Sequence, residues 1–287
     1  LLGVNNILVM GATGKVGRHV VVRLRELGHP LRAVSRSSPD RFDWADRSTW
    51  RPALADVDTV YLNVWGVVGV VDPAEFTALA VRSGVRRIVA LSGRGDGGDD
   101  YLLKTPYGPW AQAVADGERA ARGSGAEWTI VRPCWFAQTF EEDPKLSEVR
   151  SGEVVIPVGA GTVPFVDAAD IAAVTVAALT EDGHQEQIYE LSGPRAMTFA
   201  DAVAEIAEAT GRRIRYVPVE VPEYVQHLVD RGYDRSAAEM QAGPFQWLHR
   251  GNTGFLSDGV LRATGREPRD FADYARRAAA TGVWSAA

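Results

Sequence analysis

The chain has 287 residues, enough for one or two domains with cores of their own. Apolar residues make up 46% and charged residues 24%, which excludes a disordered or fibrous chain. The net charge is −6 with both signs interspersed, so no nucleic-acid partner is expected. Thr59–Val71 and Val154–Val166 are uncharged but only 13 residues each, too short to cross a bilayer as helices, and no membrane partner is expected. No basic or signal-type apolar run precedes Ile7. Cys134 is the only cysteine, so an intrachain disulfide and a cysteine-based metal cluster are excluded. These features predict a cytoplasmic protein. They leave its oligomeric state open.

In chain order, Ile7–Met10 reads as a short buried strand ending in a glycine-rich turn. Val16, Val20, Leu24 and Leu27 recur at helical spacing, and Gly28 closes that helix. Leu31–Ser35 reads as a second strand and Phe42–Trp44 as a short third one. Ser48 is placed to cap a helix through Leu54. Thr59–Val64 is a strand, Pro73 opens a helix that Gly84 stops, and Arg87–Leu91 is the next strand. Gly93–Gly98 is loop, Pro109–Arg122 a helix, and Trp128–Val131 a strand ended by Pro133. Apolar strands alternating with helices of 10–15 residues predict parallel pairing with right-handed crossovers.

After Pro133 the rhythm changes. Glu153–Val166 mixes glycines and prolines with short β-type runs, Asp167–Leu179 is a helix, and Ile188–Leu191 returns a strand to the sheet. Thr198 and Asp201 resemble a capping box before the apolar face of Phe199, Ala202, Val203 and Ile206. Short helices follow at Glu223–Arg231, Ser236–Gln246, Asp258–Thr264 and Asp270–Ala280. The predicted fold is α/β, a doubly wound parallel Rossmann sheet with a smaller, mostly helical C-terminal lobe. Residues 1–150 with 166–192 form the sheet domain, and 151–165 with 193–287 the smaller lobe.

Gly11-Ala12-Thr13-Gly14-Lys15-Val16-Gly17 lies between the first strand and the first helix. Three glycines at this spacing allow a tight turn, close approach of a diphosphate and close helix–strand contact, and the helix start supplies N–H donors. The motif has the strand before it and the helix after it that this reading requires. The second strand ends Val34-Ser35-Arg36 without the acid that selects NAD. Arg36 and Ser35 suit a 2′-phosphate, so NADP(H) is favoured over NAD(H). Asp43 and Trp44 are candidates to contact adenine and read equally well as structural residues.

ILVMGATGKVGRHVV, FDWADRSTW, DTVYL, RRIVALSG, GERAARGSGAEWTIVRP, VPFVDAADIAAVTVAALT and YELSGPRAMTFADAVAEIAEATGR occur in this order. The chain thereby resembles the NmrA-like family of atypical short-chain dehydrogenases/reductases over nearly its whole length. The resemblance is weakest in Pro222–Gly254. It implies an NAD(P)H-binding Rossmann domain and a lobe covering the substrate. By position it also implies that Asn63 and Val64 run along the nicotinamide side of the cofactor, with Ser92 near the reactive ring.

Many short-chain reductases pair a tyrosine with a lysine four residues on, to exchange a proton with a carbonyl oxygen. None of the eight tyrosines here has that lysine. Counted back from Glu118, the two positions hold Trp110 and Val114. Three readings survive. The chain reduces a small, flat, unsaturated substrate such as a quinone or enone, with Tyr107, Ser92 or water giving the proton. Alternatively it binds NADP(H) as a redox sensor without turnover, or it runs a non-redox reaction such as isomerisation or cyclisation on the same fold. Trp65, Tyr107, Trp110, Trp135 and Phe136 follow strand ends and are candidates to line the substrate side, with core packing as the alternative for each. Cys134 reads as a buried filler. The five histidines show no ligand spacing, so no metal is expected.

Overall fold

The computed structural model describes residues 6–64, 71–94, 109–248 and 253–286, with backbone alone at 109, 110, 246 and 247. Short runs of apolar and β-branched residues form the parallel strands β1 (Ile7–Met10), β2 (Leu31–Val34), β3 (Thr59–Asn63), β4 (Arg87–Leu91) and β5 (Glu127–Pro133). With β8 (Gln187–Leu191) they make a six-stranded sheet in the order β2-β1-β3-β4-β5-β8. β2 and β3 flank β1 on opposite sides. The strand order therefore reverses at β1, and in open α/β sheets ligands bind beyond the strand carboxyl ends at such a switch point.

Phe42–Trp44 is not a strand. What remains of the expected pairing is a single parallel bridge between Ser35 and Arg41. The aromatic rings explain the difference: Phe42 and Trp44 both pack edge-on against Phe76, and Trp44 also against Trp50. That cluster holds the segment by side chains instead of a ladder. Ser48 is not the helix cap either. Asp46 accepts from the Ser48 amide at the start of a 3-10 turn (Arg47–Thr49), and α2 (Trp50–Ala53) follows directly.

Helix α1 (Gly17–Glu26) buries Val20, Val21 and Leu24, and α3 (Pro73–Arg82) starts at an Asp72 cap with proline in its first turn. Helix α4 (Pro109–Arg122) has its sequence-predicted bounds. Leu8, Met10, Val60, Leu62, Ile88, Ala90 and Ile130 share one core with Trp50, Phe76, Ala80 and Ala121 from α2, α3 and α4. Alternate strand residues face the other way, toward α1 and the apolar helix α6 (Ala168–Thr180), which pack on each other.

The chain divides into two compact units: residues 1–133, 168–191 and 258–266, and residues 134–167, 192–257 and 267–287. The segment 134–150, expected with the dinucleotide domain, lies in the second unit because Phe140 and Val149 are buried in that unit's core. The turn Gly259–Thr264 (α10), expected with the lobe, belongs to the first unit and packs on α6 and β8. The second unit contains α5 (Lys145–Ser151), α7 (Phe199–Thr210), α8 (Val221–Asp230), α9 (Arg235–Leu248) and α11 (Phe271–Ala280). It also holds two small sheets, β6 (Glu153–Ile156) beside β10 (Arg215–Pro218) and β7 (Thr162–Val163) beside β9 (Met197–Thr198). The capping box of Thr198 and Asp201 starts α7, whose Phe199, Ala202, Val203 and Ile206 face the core. No helix among the described residues is long and apolar enough to cross a membrane.

Candidate functional site

The glycine loop joins the carboxyl end of β1 to the start of α1. Gly11 has φ +64°, a conformation that side chains disfavour, and its carbonyl accepts the Gly14 amide at 2.9 Å. A Cβ on Gly17 would stand 2.1 Å from the Gly11 carbonyl oxygen, so α1 approaches the loop more closely than any other residue permits. A Cβ on Gly11 would meet the Asn63 side-chain nitrogen at 2.8 Å, which places Asn63 beside the loop. The Ala12 amide donates to the Val34 carbonyl at 3.1 Å and binds the loop to the end of β2. Thr13 and Gly14 are exposed and Lys15 is half-buried. No side chain caps α1, and no acid lies in its first turn.

These observations test the fit of a dinucleotide. A diphosphate requires N–H donors, positive potential and room for close approach. An uncapped helix start behind an exposed glycine turn provides all three. Arg36 lies exposed in the turn after β2, and its guanidinium has no ion pair among the described residues. Ser35 differs from expectation. It is buried, and its hydroxyl accepts the Ser37 amide at 3.3 Å within the turn, so it shapes the loop that carries Arg36. Asp43 pairs with Arg41 at 3.0 Å and accepts the Ala45 amide. Trp44 makes ring contacts to Phe42, Trp50 and Phe76, and Asp43 and Trp44 both remain partly exposed.

Asn63 and Val64 separate in role. Asn63 is half-buried beside Gly11, whereas the Val64 side chain is 1% exposed and points at α4, where a Cβ on Gly117 would meet it at 2.6 Å. Only the Val64 backbone is left to face a cofactor. Ser92 is fully buried just past β4. Its hydroxyl donates to Glu118 Oε2 at 2.9 Å, so its proton is already committed and it is poorly suited to give one away. Glu118 also receives Arg132 in a fork, at 3.1 Å from Nε and 2.5 Å from Nη2. Val114, standing where the catalytic lysine would be, is 1% exposed and serves packing.

Trp65 and Tyr107 lie outside the described residues, as does the Trp110 side chain. Trp135 packs edge-on against Phe199 at 5.6 Å and tilted against Phe245 at 5.0 Å, and so belongs to the core of the second unit. Phe136 is half-buried and bridges to Val166 by its backbone. Cys134 is buried, and its thiol donates to the Pro164 carbonyl at 2.6 Å, as a filler would.

In the sequence Glu118 is only a landmark, and Gly117 and Arg132 carry no assigned role. Their signal was visible: an arginine inside the buried run Thr129–Pro133, and an acid on a helix, each requiring a partner.

Residues 11–182 match a family described as NAD(P)H-binding. The chain is 32% identical to an uncharacterised oxidoreductase of Bacillus subtilis, with 98% of each chain covered. It is 31% identical to an NAD(P)H azoreductase of Xenophilus azovorans, covering 96% of this chain and 98% of that one. The crystal structure of the Citrobacter sp. triphenylmethane reductase complexed with NADP(H) superposes with a TM-score of 0.78 at 21% identity, over 95% of this chain and 99% of the other. The chain belongs to this NAD(P)H-binding family and is an oxidoreductase by its relatives.

Proposed function

We infer that the protein is an NADPH-dependent reductase of a small, flat, unsaturated molecule. The observation that carries this reading is the uncapped helix start behind Gly11–Gly17 with Arg36 exposed at the neighbouring strand end. Gly11, Gly14 and Gly17 hold the diphosphate, with the amides of Thr13, Lys15 and Val16 as donors. Arg36 takes the 2′-phosphate and makes NADPH the better ligand. Asn63 and the Val64 backbone line the path from the diphosphate to the nicotinamide.

The bound cofactor supplies a hydride. The chain's own task is to orient the acceptor, exclude water and leave a proton source within reach of the reduced product. Ser92 commits its proton to Glu118 and Val114 has no proton to exchange, so the acceptor is one that needs little acid assistance. An electron-poor quinone, azo group or conjugated enone meets that condition. The azoreductase relative supports this substrate class by its name. Tyr107 and water are the remaining proton donors. Trp65, Tyr107 and Trp110 are the proposed substrate walls.

NADPH consumption at 340 nm, measured against quinones, azo dyes, enones and imines, tests the proposal. Acceptor-dependent oxidation of NADPH, with NADH slower, is the expected result. Saturable NADPH binding with no consumption across the panel would make the protein a sensor. Product formation without absorbance change would make it a non-redox enzyme.

A further inference from the structure

One turn of α4 is fastened to the carboxyl ends of three neighbouring strands. Gly117 sits against Val64 just past β3, so closely that a Cβ would come within 2.6 Å of its methyl group. Glu118, the next residue, takes the Ser92 hydroxyl just past β4 at 2.9 Å and the Arg132 guanidinium at the end of β5. Arg132 also faces Glu190 near the end of β8 at 3.7 Å. The ladder between β4 and β5 continues beyond the named strand: the Ser92 amide donates to Val131 and the Arg94 amide to Pro133, both at 2.8 Å. The Glu118 and Arg132 side chains are 7% and 3% exposed.

A buried ion pair of this kind adds little stability over well-packed apolar groups, because both charges must leave water. Its distinctive property is directional: a forked guanidinium–carboxylate pair with a hydroxyl as third group strongly restricts the geometry. The three strand ends it holds border the crevice in which a dinucleotide lies in such sheets. We propose that the Gly117–Glu118 turn, with Arg132 and Ser92, is a positioning device that presets the carboxyl edges of β3, β4 and β5 for the nicotinamide half of the cofactor. The adenosine half is served by the separate glycine loop and Arg36. This inference rests on the NADPH-binding reading and assigns to it residues that act through the backbone they hold.

The device makes the two halves of the cofactor separable in binding. The test compares dissociation constants for NADPH and for 2′-phospho-ADP-ribose, which lacks the nicotinamide. The proteins are the wild type, Glu118→Gln, and the paired Glu118→Met with Arg132→Met, which removes both charges at once. The expected result is an NADPH constant raised at least about tenfold in both variants, with the fragment's constant within about twofold of wild type. A tenfold loss is about 1.4 kcal/mol, the size of one well-made neutral hydrogen bond, such as one to the carboxamide. Equal change for both ligands, or for neither, would overturn the inference, as would a wild type that binds the fragment as tightly as NADPH.

Amide hydrogen exchange on the unmodified protein gives a second readout that needs no variant to fold. Ser92, Arg94 and the Gly117–Glu118 turn gain protection with NADPH and not with the fragment if the device meets the nicotinamide half. The same protection from both ligands overturns it. A wild type that binds neither ligand sinks the NADPH reading itself, and that outcome is distinct from a wild type that binds both while the variants change nothing.

Discussion

Gly17→Ala isolates the contact on which the cofactor cradle depends. The added methyl carbon would stand 2.1 Å from the Gly11 carbonyl oxygen, 2.9 Å from its carbon and 3.1 Å from the Ala12 Cα. All three are backbone atoms, so no side-chain rotation relieves the clash, and α1 must back away from the loop by roughly 1 Å to restore ordinary contact. Overpacking of this kind costs about 1–3 kcal/mol. At roughly 2–4 °C per kcal/mol for a protein of this size, the midpoint of thermal unfolding should fall by about 2–12 °C. The same displacement carries the α1 amides off the diphosphate. Loss of one hydrogen bond to a charged group, about 1.5–3 kcal/mol, raises the NADPH dissociation constant by about 10–100-fold. Gly159→Ala is the control, because nothing lies within 4 Å of its Cβ position, and it should stay within about 0.5 kcal/mol of wild type. NADPH fluorescence titration and thermal unfolding measure both effects. A Gly17→Ala protein with wild-type NADPH affinity would refute the assignment of this loop.

Arg36→Asp should lower the ratio of NADPH to NADH efficiency by at least about tenfold, since it replaces a phosphate partner by a group that repels phosphate and accepts a ribose hydroxyl. An unchanged ratio in steady-state kinetics removes Arg36 from that role. Tyr107→Phe should slow reduction at least about tenfold if that phenol gives the proton, and wild-type turnover would leave water. Lys145 provides a stability test in the second unit. Burial, opposed by Glu148 at 2.9 Å, pushes its pKa down to about 8 from the usual 10.5. Below pH 8 both folded and unfolded chains hold that proton and the cost of burying the charge is constant. From pH 8 to 10.5 the folded lysine is neutral while the unfolded one is still charged, so this group's contribution to stability rises with pH. Denaturant unfolding should therefore show wild type gaining on Lys145→Met with Glu148→Gln between pH 8 and 10, and parallel curves would contradict the assignment.

Much of the fold was legible because it depends on local pattern. Arg87–Leu91 and Pro109–Arg122 have their predicted bounds, since an unbroken apolar run and a proline-started amphipathic stretch each define one element. The helix at Lys145–Ser151 was invisible. Its buried residues include Lys145 and Glu148, whose charges mask the apolar period until they are seen paired with each other. Phe42–Trp44 misled for the opposite reason: aromatic residues signal a strand equally well when they are held by rings from other helices. Ser48 lost its cap to Asp46, whose carboxylate takes the Ser48 hydroxyl at 2.6 Å as well as the amide.

The sequence alone determined the alternation of strand and helix, the glycine loop at its place between them, and the absence of the tyrosine–lysine pair. Each is a matter of residue type at short spacing, where backbone sterics and hydrogen-bonding capacity act within a few residues. Only the tertiary structure decided that Val64 faces a helix, that the Ser92 proton belongs to Glu118, and which rings Trp44 and Trp135 pack against. Those outcomes join side chains far apart in the chain, such as Ser92 with Glu118 and Trp135 with Phe245. A buried polar group must find its partner wherever the fold brings one, and a single chain position carries no record of which partner that will be.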